Sequence, residues 1–298
     1  MLRQTGNEIE KNSMGTNHEQ RIRIAQETLQ ILEQGCYTNR AGKAITVDNR
    51  FAVQNTVYYD GGQLEKLHIA QELTQAHATR FEVRNETTLA AARCLIGEGH
   101  AHPLCLNFAS ARNPGGGFLR GTEAQEENLA KSSGLYPCLL PKTAYYERNR
   151  ALHSGMYTDD MIYSPRVPVF RDDDYALIDR VYETAMLTAP AVNRGAVAEN
   201  EPDRLGEVEA VMLRRIDLLL ALAAAHGHTV LVLGAWGCGV FRHRPQQMAQ
   251  WFATHLLQGG RYRGVFERVR FAVYDPKENG TFAAFKDVFD PVAQERQA

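Results

Sequence analysis

The sequence lacks the features that mark a chain for secretion or for a membrane. Its five cysteines, Cys36, Cys94, Cys105, Cys138 and Cys238, are widely spaced and form no CxxC pair. That pattern excludes a disulfide scaffold and reads as reduced thiols in a cytoplasmic compartment. No apolar run reaches the length of a membrane span, and the first twenty residues are polar rather than signal-like. There is also little net charge, with 33 Lys plus Arg against 35 Asp plus Glu. A broad basic face for duplex nucleic acid is therefore not indicated, while a local basic cleft for an anion stays compatible with the balance. His100 and His102 have no further partners at ligand spacing, and Asp172, Asp173 and Asp174 are adjacent and point different ways. Neither group reads as a metal site.

What is present centres on residues 104–129, LCLNFASARNPGGGFLRGTEAQEENL. Leu104, Leu106 and Phe108 alternate as in a buried strand, and Asn113-Pro114 ends it. Gly115, Gly116 and Gly117 leave backbone N–H groups bare, a common way to hold phosphate or sugar oxygens near a helix start. Thr122 then reads as an N-cap with Gln125, Glu126 and Glu127 in the first helical turn. Those carboxylates suit acid–base work on whatever the loop holds. The competing reading is a Thr122–Gln125 capping box with acids that only complement the helix dipole.

The rest alternates helix and strand. Thr16 and Glu19 read as a capping box for a helix carrying Ile22, Ala25, Leu29, Leu32 and Cys36, after an N-terminal stretch of about 15 residues expected to be disordered. Residues 52–59 and 80–84 read as strands and 64–77 as helix, with Asn85-Glu86-Thr87-Thr88 capping the next helix. Residues 161–170 and 184–189 read as strands, and 190–204 as a surface loop. A long helix from Leu205 ends at Gly227 and a strand over 229–233 follows. That strand runs into Gly234-Ala235-Trp236-Gly237-Cys238-Gly239-Val240-Phe241, a second glycine loop, with a helix beginning at Pro245. Two glycine loops at the carboxyl ends of strands fit one crevice of an open α/β sheet. Neither loop has P-loop or GxGxxG spacing. The pattern predicts an α/β fold, a three-layer α/β/α sandwich with a mixed central sheet. Residues 1–79 are expected to form an N-terminal helical extension and residues 80–298 the main α/β unit.

GGG, seven residues, then Gln125-Glu126-Glu127, flanked by NFASARNPGGGF, resembles the signature of bacterial-type poly(ADP-ribose) glycohydrolases, whose catalytic domain is a macrodomain. The resemblance covers roughly residues 80–290. It implies a metal-independent glycosidase without cofactor that releases ADP-ribose from poly(ADP-ribose), including polymer on poly(ADP-ribosyl)ated proteins. Glu127 becomes the acid and base, with Glu126 and Gln125 on ribose hydroxyls. GAWGCGVF is similar to the macrodomain diphosphate loop, so Gly234, Gly237, Cys238, Gly239 and Val240 join Gly115–Gly117 as substrate-binding positions. Phe241 stands where the family sets an aromatic against the terminal ribose, against the simpler reading of a core aromatic. Macrodomains often carry Asn four residues before the glycine run. Here that position is Ala111, and Asn113 is the nearest candidate for ribose. The alternatives are a non-catalytic ADP-ribose-binding macrodomain reader and a metal-dependent ADP-ribosyl-acceptor hydrolase.

Overall fold

The computed structural model describes residues 17–294. Helix α1 (His18–Gln34) opens at Asn17, whose side chain accepts from the Gln20 amide while Gln20 returns the bond, and it closes at left-handed Gly35. The capping box thus sits one residue later than the Thr16–Glu19 pair. Thr16 and the expected disordered start lie outside the described residues. A small hairpin, β1 (Cys36–Thr38) with β2 (Ala44–Thr46), follows. The stretch read as strand over 52–59 divides into α2 (Arg50–Asn55) and a short β3 (Val57–Tyr59). Next come α3 (Gly61–Ala70), β4 (Arg80–Arg84), α4 (Thr88–Gly97), β5 (Leu104–Phe108) and α5 (Gln125–Ser132). Then follow α6 (Leu135–Leu139), α7 (Thr143–Ala151), β6 (Met161–Arg171), β7 (Leu177–Ala189), α8 (Arg194–Asn200) and α9 (Val208–Ala225). The chain continues with β8 (Val230–Leu233), α10 (Pro245–Leu256), β9 (Arg268–Ala272) and α11 (Thr281–Gln294).

Seven strands form the central sheet in the order β3-β6-β7-β5-β8-β9-β4. β3, β6 and β7 pair antiparallel, whereas β7, β5, β8, β9 and β4 run parallel, so the sheet is mixed. Alternation along the strands sends side chains to two cores. Leu104, Leu106, Leu231 and Leu233 face α9, α10 and α11 through Ile216, Phe252 and Phe285. Cys105, Val230 and Val232 face the other way, toward Leu89, Leu95, Leu129 and Tyr145. A sheet buried on both faces is the α/β/α sandwich. β3 lies within residues 1–79, so that stretch carries strand as well as helix and supplies one edge of the sheet.

The register places both glycine loops together. β5 and β8 are adjacent and parallel, with Leu104 opposite Leu231 and Cys105 opposite Val232. Their carboxyl ends therefore release the 109–124 and 234–244 loops side by side.

Candidate active site

Two clefts with a common wall open above these strand ends. One, of about 420 Å³, is lined by Glu86, Thr88, Phe108, Tyr175, Cys238 and Thr281 among others. The other, of about 380 Å³, holds Ser110, Thr122, Glu126, Glu127, Val240 and Phe241. Phe108, Ala124, Gln125, Ala235 and Gly239 belong to both.

Helix α5 begins with Gln125 and has no side-chain cap; its cap position is Ala124. Thr122 is therefore not the N-cap, and the capping-box reading fails for a physical reason. The Gln125 amide bonds β5 instead: Oε1 accepts from Phe108 N (2.9 Å), and Nε2 donates to Leu106 O (2.8 Å) and Thr88 Oγ1 (3.0 Å). A side chain so fully bonded braces the cleft wall and has no donor left for a ribose hydroxyl.

Glu126 and Glu127 are both buried, at 3 % and 6 % exposure, although carboxyls are seldom fully buried unpaired and neither forms an ion pair among the described residues. Glu126 accepts from Ser110 N (2.6 Å), from Asn107 Nδ2 (3.2 Å) and from the Gly115 amide. Burial pushes its pKa up to about 8, the neighbouring Glu127 charge pushes the same way, and the N–H donors pull back. Glu127 Oε1 accepts from Gly117 N at 2.8 Å, while no donor among the described residues reaches Oε2. A Cβ built on Gly116 would lie 3.0 Å from Glu127 Cδ and 3.2 Å from Glu126 Oε2. The two carboxyl groups thus converge on one side of the loop.

The glycine run works differently from the open cradle expected. Gly115 and Gly116 adopt φ of 64° and 61°, which favours glycine. Their amides are not open to a ligand, because Gly115 and Gly117 hold the two carboxyl groups and Gly116 N donates to Asn113 O (3.0 Å). The open amides belong to the second loop. Among the described residues nothing accepts from the N–H groups of Gly237, Gly239, Val240 and Phe241. Gly237 turns at φ 72° against His243 and Ala191, and a Cβ on Gly239 would meet nothing within 4 Å. Trp236 and His243 anchor the loop from below, through Ala189 O (3.2 Å) and Val192 O (2.7 Å). Burial lowers the His243 pKa to about 4, so a neutral ring supports the loop. Gly234 packs against Ala272 O and Phe108, and the Cys238 thiol, pushed up to about 12 by burial, lines the first cleft.

Phe241 is half-buried on the cleft wall beside Tyr157, with ring centroids 6.1 Å apart. Asn113 is exposed and lines neither cleft, which corrects its candidacy. The asparagine that reaches the site is Asn107, fully buried and bonded to Glu126 and to Thr188 Oγ1. A polar residue inside the apolar run LCLNF was the signal for it. Thr87, read only as a helix cap, also donates to Asp173 Oδ1 at 2.5 Å across the cleft mouth. Among the described residues no three or more His, Cys, Asp or Glu side chains are grouped to hold a metal ion, and no helix is long and apolar enough to cross a membrane.

A family model described as microbial-type PARG, catalytic domain, matches residues 25–172. The crystal structure of poly(ADP-ribose) glycohydrolase from Thermomonospora curvata is 45 % identical, with a TM-score of 0.87 over 92 % of this chain and 100 % of that one. The same enzyme bound to the inhibitor ADP-HPD is matched at 44 % identity and TM-score 0.84, over 91 % and 99 % of the two chains. The glycohydrolase from Deinococcus radiodurans in complex with ADP-ribose is matched at 44 % identity and TM-score 0.76, over 80 % and 96 %. No curated protein matches the chain.

Proposed function

The chain belongs to the microbial-type poly(ADP-ribose) glycohydrolase family, and on that premise we propose that it cleaves the ribose–ribose O-glycosidic bond through Glu127 as single general acid and base. The observation that carries this reading is the asymmetry of the Glu127 carboxyl. One oxygen is pinned by Gly117 N–H and the other lies in the cleft with no donor pointed at it.

Glu126 has the raised pKa, through burial first and the neighbouring Glu127 charge as well. N–H donors address its two oxygens and Glu127 Oε1, so the proton for transfer is carried at the oxygen they leave open, Glu127 Oε2. It goes to the leaving 2′-oxygen as the C1″–O bond breaks. Water then adds to the oxocarbenium-like C1″ and returns a proton to the same carboxylate. With both glutamates on one side of the loop, an opposed pair of carboxylates as in two-carboxylate glycosidases does not arise. Glu126 faces the ribose hydroxyls, Phe241 packs on that ribose, and the open amides of Gly237, Gly239, Val240 and Phe241 receive the diphosphate. The adenosine occupies the first cleft toward Thr88 and Glu86. Both clefts fall in the ~300–1,000 Å³ range of small-molecule sites.

The substrate extends to polymer still attached to protein, and the free thiols favour a cytoplasmic setting. Residues 80–298 carry the catalytic loops while the preceding segment braces them. The test is Glu127→Gln, which keeps shape and removes the transferable proton. Polymer hydrolysis should fall at least ~100-fold with ADP-ribose affinity unchanged. Turnover near that of the unmodified protein would overturn the assignment. EDTA should leave the rate unchanged, and loss of activity on chelation would favour a metal-dependent hydrolase.

A further inference from the structure

The 109–124 loop carries a second feature on its solvent side. Arg112, Arg120 and Arg150 are all exposed, and none forms an ion pair among the described residues. Arg150, at the end of α7, donates from Nη1 to Arg112 O at 2.6 Å, which clamps the two guanidinium-bearing residues together. Arg120 folds back over the glycine run, its Nη2 3.6 Å from where a Gly117 Cβ would stand. Nearby charges are already committed. Arg148 is bound to Asp160 (2.8 Å), Arg242 on the facing loop to Glu199 (2.9 Å), and Glu123 to Arg21 (2.9 Å). Glu147, three residues before Arg150, makes no ion pair with it. In a chain of net charge −2, two uncompensated arginines on this loop and a third on the helix beside it are a local excess of positive charge.

Arg112 lies between Ser110, whose amide holds Glu126, and Gly116, whose missing side chain leaves room for Glu127. The Ser110 hydroxyl accepts from the amides of Arg112 and Asn113 at 3.2 and 3.1 Å, fixing that turn. The unit that departs when the glycosidic bond breaks takes its proton from Glu127, and so leaves past this edge of the loop. It is an adenosine whose 5′ side carries a diphosphate. Planar guanidinium groups bind phosphate oxygens bidentately.

We propose that Arg112, Arg120 and Arg150 form a seat for the diphosphate of the polymer unit on the leaving-group side, separate from the cleft that takes the cleaved ADP-ribose. This rests on the assignment of Glu127 above. The seat makes the enzyme favour substrates with a nucleoside diphosphate as leaving group over those with a small neutral one.

The experiment compares two substrates, long poly(ADP-ribose) and an ADP-ribose 1″-O-aryl glycoside whose leaving group has no phosphate. In Arg112→Ala/Arg150→Ala, and again with Arg120→Ala added, kcat/KM on polymer should fall about tenfold or more, as loss of phosphate contacts does. Turnover of the aryl glycoside and ADP-ribose affinity should be unchanged. The decline of polymer turnover with added salt should flatten in the variants, because the charges it screens are gone. Lysine at the same positions should restore part of the loss. Polymer kcat/KM within twofold of the unmodified enzyme overturns the proposal, as does an equal loss on both substrates. Failure of the Glu127 assignment is distinguishable, since Glu127→Gln would then retain turnover of both.

Discussion

At the scale of single residues, the two glycine loops that look alike in sequence do opposite work. Gly116 has positive φ, and a side chain there would press on Glu127 from a buried direction. Gly116→Ala should therefore displace the acid: kcat should fall on the order of 100-fold, the scale of an ångström of misplacement. Stability should also drop by about 1 kcal/mol or more from the strained backbone, with ADP-ribose affinity held near the starting value. Gly239 has open space around it. Gly239→Ala should leave the melting temperature alone and weaken ADP-ribose by about 1.4 kcal/mol, a tenfold step. Titration, kcat and a melting curve for each variant separate the two, and identical behaviour would contradict the division of labour. Glu126 adds a pH signature. Its folded pKa is raised, to about 8, above the carboxyl's unfolded value, so the folded state holds the proton more tightly. Its contribution to stability is present at low pH and is lost as pH rises between ~4.5 and ~8. Melting followed from pH 5 to 9 should show that decline, and Glu126→Gln should remove it.

At the scale of elements, the brace matters as much as the loop. Helix α1 reaches across to the catalytic segment: Arg21 Nε donates to Gly121 O (2.7 Å) and Nη1 pairs with Glu123 (2.9 Å). Ala25 packs with Phe118 and Ala130 on either side of the glutamates. Arg21→Ala should lower stability by ~1–2 kcal/mol through the lost bond to a part-buried carbonyl and reduce kcat more than ADP-ribose affinity. An unchanged kcat would show that the 109–124 loop holds its shape without the helix. This brace could not be read from sequence, since it joins residues a hundred positions apart. What could be read were features with local causes. The strand 80–84, the long apolar helix closing at Gly227 and the two strand–glycine–helix passages all stand where periodicity and glycine put them. Local rules misled where a distant partner competed. Gln125 left its helix cap for the edge of β5. Residues 190–204, polar enough for a loop, contain α8 because Asn193 accepts from the Ala196 amide. Residues 50–55 turn helical and pack Ala52 on β6. In the site, the glutamates were legible from their motif, whereas Asn107 and the inward-turned amides of the glycine run depended on tertiary placement.

At the scale of the whole molecule, the segment before residue 80 is tied to both halves of the sandwich. β3 closes one edge of the sheet and β4, just beyond residue 79, closes the other, so the intervening chain spans the sheet's full width. Buried charges on later elements depend on it. Arg171, 3 % exposed, pairs with Glu27 (2.6 Å) and bonds Thr28 Oγ1 (3.2 Å). Asp160, fully buried, accepts from Tyr58 OH (2.7 Å) and Gly61 N (3.0 Å). A hydrogen bond to a charged group contributes about 1.5–3 kcal/mol, and a domain's whole stability is about 5–15 kcal/mol. Truncation would also admit water to these groups, which softens that loss but uncovers Phe118 and Phe170. A fragment of residues 80–298 should therefore show no cooperative melting transition and no hydrolysis of polymer. The full chain should melt in one transition, stabilised by about 2.7 kcal/mol when ADP-ribose is present at 100 times its Kd. A fragment that melts sharply and turns over polymer at the full-chain rate would make residue 80 a true domain boundary and reduce the preceding segment to an appendage.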